Sequence, residues 1–302
     1  MINLPNFFIV GAAKAGTTTL YTELNAHPEI YMPANKEPMF FSSDEKYNNG
    51  LSWYSDNFFR NSGAKPARGE ATPHYLYWAD KVAPRLREHF RLDELRFIAV
   101  LRDPVARAYS WYWNMVRDGN ESLDFRKALA EEPARLRENN DSLRRRGSMI
   151  YGYLRGGMYA DQLRHFFDLF PRQNFLILLQ DDLNANYDQA FDRIFAFLKV
   201  SKPDQLRDQR KNPASLPRSR RLQEFLVRPS GLLYKVVRPV THRLPAGLRY
   251  SLKKNIRDKN LKEAPYPRLD PEIAGELKRY FRPENEKLEG LIDRDLSAWY
   301  GA

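Results

Sequence analysis

The chain has no cysteine. That excludes disulfides and thiolate metal ligands. Its five histidines, His27, His74, His89, His165 and His242, show neither an H-x3-H nor an H-E-x-x-H spacing, so no metal site is expected. No window approaches about 18 uninterrupted apolar residues, so no transmembrane helix is expected. The N-terminus lacks a basic stretch followed by a long apolar run, and a strand-like run begins almost at once. Neither a secretory signal nor a membrane anchor is therefore expected. The expectation is a cytoplasmic protein, with peripheral contact to the inner membrane surface left open. Internal repeats and low-complexity tracts are also missing. Acidic charge is scarce in one place: residues 201–262 hold 17 Lys or Arg against 4 Asp or Glu, an excess of 13 in a chain of net charge +11, which leaves −2 for the rest.

At 302 residues and 42% hydrophobic content the chain can build a sizeable core. Residues 7–11, 96–101 and 175–179 read as buried parallel strands. Between and around them, helical patterns cover 17–26, 79–89, 104–117, 123–130, 159–170 and 188–198. His27-Pro28 ends the first of these, and Pro104 suits the first turn of another, where a missing N–H costs nothing. Residues 36–41 read as a short strand or extended loop, and 68–76 as a strand end and turn. The Arg144–Arg146 run reads as a solvated turn. Among Trp111, Tyr112 and Trp113, at least one reads as core and another as a wall of a cleft. Segment 201–262 breaks the rhythm with Pro, Arg and apolar clusters such as Leu222, Phe225, Leu226, Leu232, Leu233, Val236 and Val237. Helical patterns then return over 271–281 and 284–292. Strands alternating with helices predict an α/β fold. We expect a single P-loop-like domain over 1–302, with a central parallel sheet flanked by helices, a basic helical or irregular cap at 201–262, and C-terminal helices over 263–302.

The densest signal is Phe7-Phe8-Ile9-Val10-Gly11-Ala12-Ala13-Lys14-Ala15-Gly16-Thr17-Thr18-Thr19-Leu20. An apolar strand runs into a loop with Gly at both ends and then a helix, the layout of a backbone cradle for phosphate. Gly11 and Gly16 keep the G-x4-G spacing of a nucleotide triphosphatase loop, but Thr17 stands where that loop has its Lys. The Lys lies inside the loop as Lys14. This suits a phosphate binder with a cation beside the terminal group and no metal.

G-x-x-K-x-G-T-T after an N-terminal strand resembles the 5′-phosphosulfate loop of sulfotransferases that use 3′-phosphoadenosine 5′-phosphosulfate (PAPS). The resemblance implies a second motif, a strand ending in Arg with a Ser eight residues later. Phe97-Ile98-Ala99-Val100-Leu101-Arg102-Asp103-Pro104-Val105-Ala106-Arg107-Ala108-Tyr109-Ser110 supplies it. Lys36-Glu37-Pro38-Met39-Phe40-Phe41, Tyr266–Pro271, Pro283-Glu284-Asn285 and Leu291–Leu296 resemble the heparan-sulfate branch and its bacterial relatives. Met39 stands where that branch has His, so a role for that His does not transfer.

The resemblance implies PAPS as co-substrate, 3′-phosphoadenosine 5′-phosphate (PAP) as product, and in-line sulfuryl transfer to a hydroxyl or amine of a carbohydrate, lipid or small metabolite. Such transfer needs a cation at the leaving oxygen, donors for the 5′-phosphate and a base for the acceptor. Lys14 is the candidate cation. Ala15, Gly16, Thr17 and Thr18 offer backbone N–H and hydroxyl donors. Arg102 and Ser110 are candidates for the 3′-phosphate, with Lys262 as a late basic addition. Glu37 is the candidate base and His74 its competitor, because an imidazole titrates near neutrality without tuning. Segment 201–262 admits closure over the nucleotide, contact with an anionic glycan or carrier protein, contact with an anionic membrane, or a plain solvated cap. A P-loop kinase or ATPase is the alternative, disfavoured by the residue after Gly16. Nucleic-acid binding is disfavoured because the positive charge is confined to one segment. A catalytically dead scaffold is disfavoured by the presence of Lys14, Glu37, Arg102 and Ser110 together.

Overall fold

A computed structural model describes residues 2–137, 147–206, 214–227 and 245–300. The Arg144–Arg146 run and Leu232, Leu233, Val236 and Val237 lie outside the described residues. The chain forms two compact units. The first comprises Met1–Arg107, Leu154–Lys211 and Gly275–Ala302; the second comprises Ala108–Tyr153 and Asn212–Ala274.

The first unit is built on a five-stranded sheet in the order β2-β3-β1-β4-β5. Its strands are β1 (Phe7–Gly11), β2 (Ile30–Tyr31), β3 (Ala67–Ala71), β4 (Arg96–Leu101) and β5 (Phe175–Leu179). All four pairings are parallel. β1 is buried at every position, which explains its unbroken apolar sequence: helices on both faces of a parallel sheet leave no wet side. After β1 the chain forms helix α1 (Thr17–Asn25) and reaches the edge at β2. It then returns through β3 to flank β1 and crosses to β4 on the other side. The direction of travel reverses beside β1, so its carboxyl end opens into the crevice where ligands of such sheets bind.

Strands 96–101 and 175–179 match their predicted spans, as do helices 79–89 and 104–117. The 123–130 helix extends over Phe125–Arg137. The two predicted C-terminal helices are one, Pro271–Ile292, which carries Pro283 in its interior. Residues 36–41 form a loop rather than a strand. The short strand β2, the small helices at Asp44–Tyr47 and Gly50–Tyr54, and the antiparallel pair β6 (Ser215–Pro217) with β7 (Leu261–Glu263) had no sequence signal strong enough to predict.

The core of the first unit is aromatic. The Phe97 ring stacks on Phe175 at 4.7 Å and meets Phe170 edge-on at 4.8 Å, while Phe8 contacts Phe41, Phe90 and Phe97 within 6.1 Å. Offset and edge-to-face pairs of this kind add about 0.5–1.5 kcal/mol each beyond their buried area. The second unit has its own centre, where buried Glu121 accepts from Arg135 at 2.6 Å and from the Tyr153 hydroxyl at 2.7 Å. Its helices Arg220–Val227 and Ala246–Lys259 meet through Asn260, whose side chain donates to the Ser219 carbonyl and to Gln223 Oε1, each at 2.9 Å.

Gly69 lies opposite Phe7 in the β1–β3 register, and a Cβ there would stand 2.1–2.4 Å from the Phe7 ring. Gly69→Ala is therefore expected to cost about 2 kcal/mol or more through overpacking. The check is the thermal unfolding midpoint; an unchanged midpoint would show that the Phe7 ring gives way freely.

Candidate active site

The carboxyl ends of β1, β2, β3 and β4 each deliver one part of the site. From β1 the chain enters the loop Ala12–Gly16, pinned to β4 by the Ala12 N–H donating to the Val100 carbonyl at 2.7 Å. Lys14 and Gly16 have φ of 73° and 99°, so two left-handed residues fold the loop back to start α1. Glycine takes that conformation freely, whereas Lys14 is held there by its surroundings. The Gly16 carbonyl accepts from Thr19 N at 3.0 Å and Leu20 N at 3.3 Å. No side chain caps α1, and its first turn contains no acid. The positive end of the helix dipole therefore faces the loop without a carboxylate from its own first turn.

β4 ends in Arg102. Its Nη1 donates to the Lys14 carbonyl at 3.1 Å, while its own carbonyl accepts from the Tyr159 hydroxyl at 3.0 Å. The Arg102 guanidinium thus braces the loop that carries the candidate cation. Asp103 starts the next helix, Pro104–Arg117, by accepting from Val105 N at 3.0 Å. Burial pushes the Asp103 carboxyl up despite these donors.

β3 ends at Ala71, Thr72 follows, and Pro73–Tyr75 form a buried 3-10 turn. Thr72 N donates to Ile9 O at 3.2 Å and Leu76 N to Val10 O at 2.8 Å, so the turn bearing His74 is fastened to β1 on both sides. The loop after β2 brings Lys36 and Glu37. Lys36 Nζ donates to Thr18 Oγ1 at 2.8 Å and lies 3.4 Å from Glu37 Oε1; Glu37 Oε2 lies 3.8 Å from His74 Nε2. The polar groups form one file from the start of α1: Thr18, Lys36, Glu37, His74.

Burial drives the His74 imidazole down to about 4, against the pull of the Glu37 carboxylate and with help from the Lys36 and Arg107 charges. At neutral pH the ring is uncharged and a weak proton acceptor. The Glu37 side chain is 33% exposed against 10% for His74, so Glu37 is the member of the pair that solvent and small molecules can reach.

The first unit therefore brings together Lys14, Ala15, Gly16, Thr17, Thr18, Glu37, His74 and Arg102. Ser110 and Lys262 belong to the second unit. Ser110 is buried on the Pro104–Arg117 helix, and Lys262 is exposed on β7, paired with Leu216 of β6. Trp111, Tyr112 and Trp113 are all buried, so none offers itself as an exposed wall. Lys36 is the participant that sequence reasoning passed over as a mere neighbour of Glu37; its place beside Glu37 in the K-E-P run was the available signal. Among the described residues no three His, Asp or Glu side chains cluster in a way that could hold a metal.

Residues 4–215 match the family model of the sulfotransferase domain, so the chain belongs to the sulfotransferase family, whose function is sulfuryl transfer from PAPS. The chain is similar to the bifunctional heparan sulfate N-deacetylase/N-sulfotransferase of Drosophila melanogaster, 28% identical over 214 residues, covering 66% of this chain and 20% of that protein. It is also similar to carbohydrate sulfotransferase 15 of Homo sapiens, 28% identical over 267 residues, covering 70% of this chain and 47% of that one. It thus spans between a fifth and a half of the length of these two relatives. The crystal structure of a sulfotransferase from Alicyclobacillus acidocaldarius superposes with a TM-score of 0.69 at 28% identity, covering 99% of both chains.

The lowered His74 value makes a spectroscopic prediction. Its ring protons should titrate in NMR near 4 rather than 6.5, and the native state should lose stability as pH falls from 6.5 toward 4, because only the unfolded chain takes up the proton in that window. A ring that titrates near 6.5 would contradict the burial argument.

Proposed function

From membership of the sulfotransferase family we propose that this chain moves the sulfuryl group of PAPS in line to a hydroxyl or amine of a carbohydrate, lipid or small-metabolite acceptor, with Glu37 as general base. The observation that carries the reading is the file Thr18–Lys36–Glu37–His74 beside the Lys14 loop. One end suits an anion and the other a proton acceptor, and a single cation links them.

In this reading the Gly16–Thr18 amides and the positive end of α1 receive the 5′-phosphate. Lys14 neutralises charge growing on the oxygen that leaves with PAP, and Lys36 orients Thr18 and Glu37. Glu37 takes the acceptor proton as the acceptor's oxygen or nitrogen bonds to sulfur and the sulfur–oxygen bond to the 5′-phosphate breaks. His74 is the weaker candidate for the base, since a buried imidazole with a pKa of about 4 is poorly matched to neutral pH. Arg102 offers its remaining forked donors to the 3′-phosphate. The assignment of Ser110 and Lys262 to the same phosphate rests on the sequence. A kinase reading fares worse, because Thr17 follows Gly16 where that class needs Lys.

Titration calorimetry tests the donor site: PAP should bind without magnesium, more tightly than ATP, and Arg102→Ala should weaken it at least tenfold. Glu37→Gln should keep PAP affinity and lower turnover by about 10²–10⁴-fold, the usual worth of a positioned base. A preference for Mg-ATP would return the loop to the kinases; near-normal turnover in Glu37→Gln would remove the base.

For partners, we propose an anionic surface in contact with the basic segment. Residues 251–259 are all exposed on the Ala246–Lys259 helix. Leu248, Leu252 and Ile256 follow one another at four-residue spacing with 44–49% exposure, beside Arg249, Lys253 and Arg257. An apolar stripe flanked by cations suits the headgroup region of an anionic membrane, whereas a glycan has no use for the leucines. No helix among the described residues is long and apolar enough to cross a membrane. The chain should cosediment with phosphatidylserine-containing vesicles and be released by salt or by Leu252→Asp; equal binding to neutral vesicles, or none to either, would count against the proposal.

A further inference from the structure

We propose that the buried carboxyl of Glu70 is a positioning residue that holds the Glu37 segment in its working conformation through four side chains gathered around it. Glu70 lies near the carboxyl end of β3, is 0% exposed and touches none of the groups assigned to donor or acceptor. Four side chains face it: Tyr54, Tyr75, Thr72 and Lys46. Each of the four also holds residues 38–41. Thr72 Oγ1 accepts from Met39 N at 3.4 Å, and the Tyr75 hydroxyl accepts from Phe41 N at 3.2 Å. Lys46 Nζ donates to the Pro38 carbonyl. The Tyr54 hydroxyl donates to Glu70 Oε2 at 2.5 Å, and the Tyr54 ring stacks on Phe40 at 4.4 Å and packs edge-on against Phe41 at 5.5 Å.

The segment needs such a hold. Glu37 and Met39 have φ of 65° and 57°, two non-glycine residues in the left-handed region within three positions. Backbone of this kind persists only where the surroundings over-determine it. The directions of the bonds supply the mechanism. The Met39 and Phe41 amides donate into the Thr72 and Tyr75 hydroxyl oxygens, which leaves each hydroxyl proton to turn toward a further acceptor. Glu70 is the anion those protons face, and a buried carboxylate can receive several such donors while a carboxylic acid must give one place to its own proton. Oε1 has no partner at hydrogen-bonding geometry among the described residues, so that oxygen remains open to the Thr72 and Tyr75 hydroxyls that face the carboxyl.

The carboxyl sits near its protonation midpoint at neutral pH. Burial raises it to about 7, against Tyr54, Tyr75, Thr72 and the Lys46 charge, which all pull it down. The ionised carboxylate is a stronger acceptor for the three hydroxyls than the acid, which must also place its own proton, so the hold on 38–41 tightens as pH rises through neutrality. The effect on turnover rests on the reading of Glu37 as the base; the effect on the segment does not.

The test uses the full chain with Glu70→Gln and, as a second variant that leaves the carboxyl in place, Tyr75→Phe. Hydrogen–deuterium exchange should become at least tenfold faster at Met39 and Phe41 in both variants while β4 and β5 stay protected. Turnover should fall between about ten- and a hundredfold, the scale on which misplaced catalytic groups lose rate, with PAP affinity unchanged. The wild type should show a limb near pH 7 in kcat that Glu70→Gln lacks. Unchanged exchange at Met39 and Phe41 in both variants would overturn the proposal, as would a limb that survives in Glu70→Gln. Fast exchange in the variants together with full turnover in Glu37→Gln would confirm the hold and remove Glu37 as the base, which separates the two failures.

Discussion

The pairing of β1 on both edges is the constraint from which the site follows. β3 and β4 run parallel to it, so three strands end side by side, and the hydrogen bonding continues past their ends. Ala12 N reaches β4, while Thr72 N and Leu76 N reach back to Ile9 and Val10 of β1. Gly11 is where this becomes a demand on sequence: a Cβ there would stand 2.6 Å from the Leu76 Cβ, so no other residue lets the His74 turn pack this closely on the loop. The first glycine of the motif serves packing, and the second, Gly16, serves backbone conformation with its φ of 99°.

Electrostatics then decides what the crevice prefers. The dipole of α1, Lys14, Lys36 and Arg102 all bring positive charge to the carboxyl edge, and Glu37 is the carboxylate paired with Lys36 and His74. Arg102 adds order as well as charge, because its bond to the Lys14 carbonyl ties the loop after β1 to the loop after β4. A site assembled this way can bind an anion with little rearrangement, which is where most of the catalytic effect in group transfer between charged oxygens originates.

The parts legible in the sequence were those fixed by local chemistry. Continuous apolar runs marked β1, β4 and β5, the glycine spacing of the first loop marked Lys14 and Gly16, and Arg102 was singled out through the family resemblance. The K-E-P run marked Glu37, though the loop it sits in reads like a strand because Phe40 and Phe41 are both apolar; their rings are buried by Tyr54 and Tyr75, residues 13 or more positions away, and no local pattern encodes that. β2 is two residues long and exists only because β3 lies beside it. Pro283 suggested a break between two helices, but the Pro271–Ile292 helix runs through it, with Glu284 held by the Asp161 amide at 3.0 Å on the far side. The Glu70 cluster was illegible for a further reason: in sequence Glu70 is an ordinary acid next to a turn, and its meaning comes from Lys46, Tyr54 and Tyr75 arriving from separate elements.

Glu37 and Glu70 show how the same side chain takes two roles through its surroundings. Glu37 is partly exposed, with Lys36 at 3.4 Å to offset its charge, and it stands between Lys36 and His74 in the file of polar groups that starts at Thr18. Glu70 is fully enclosed, and burial outweighs the hydroxyls and the Lys46 charge around it. A carboxylate near solvent can exchange a proton with an incoming hydroxyl or amine, while one under the sheet's edge has no route to a substrate and can act only on what packs over it. What packs over Glu70 is the segment that carries Glu37. The two acids are therefore coupled through backbone: the inner one sets how firmly residues 38–41 are held, and the outer one depends on that hold to keep its place between Lys36 and His74. A strained loop needs a rigid support, and here the support is a polar cluster inside an otherwise aromatic core, tied to residues 38–41 by Thr72, Tyr75 and Lys46.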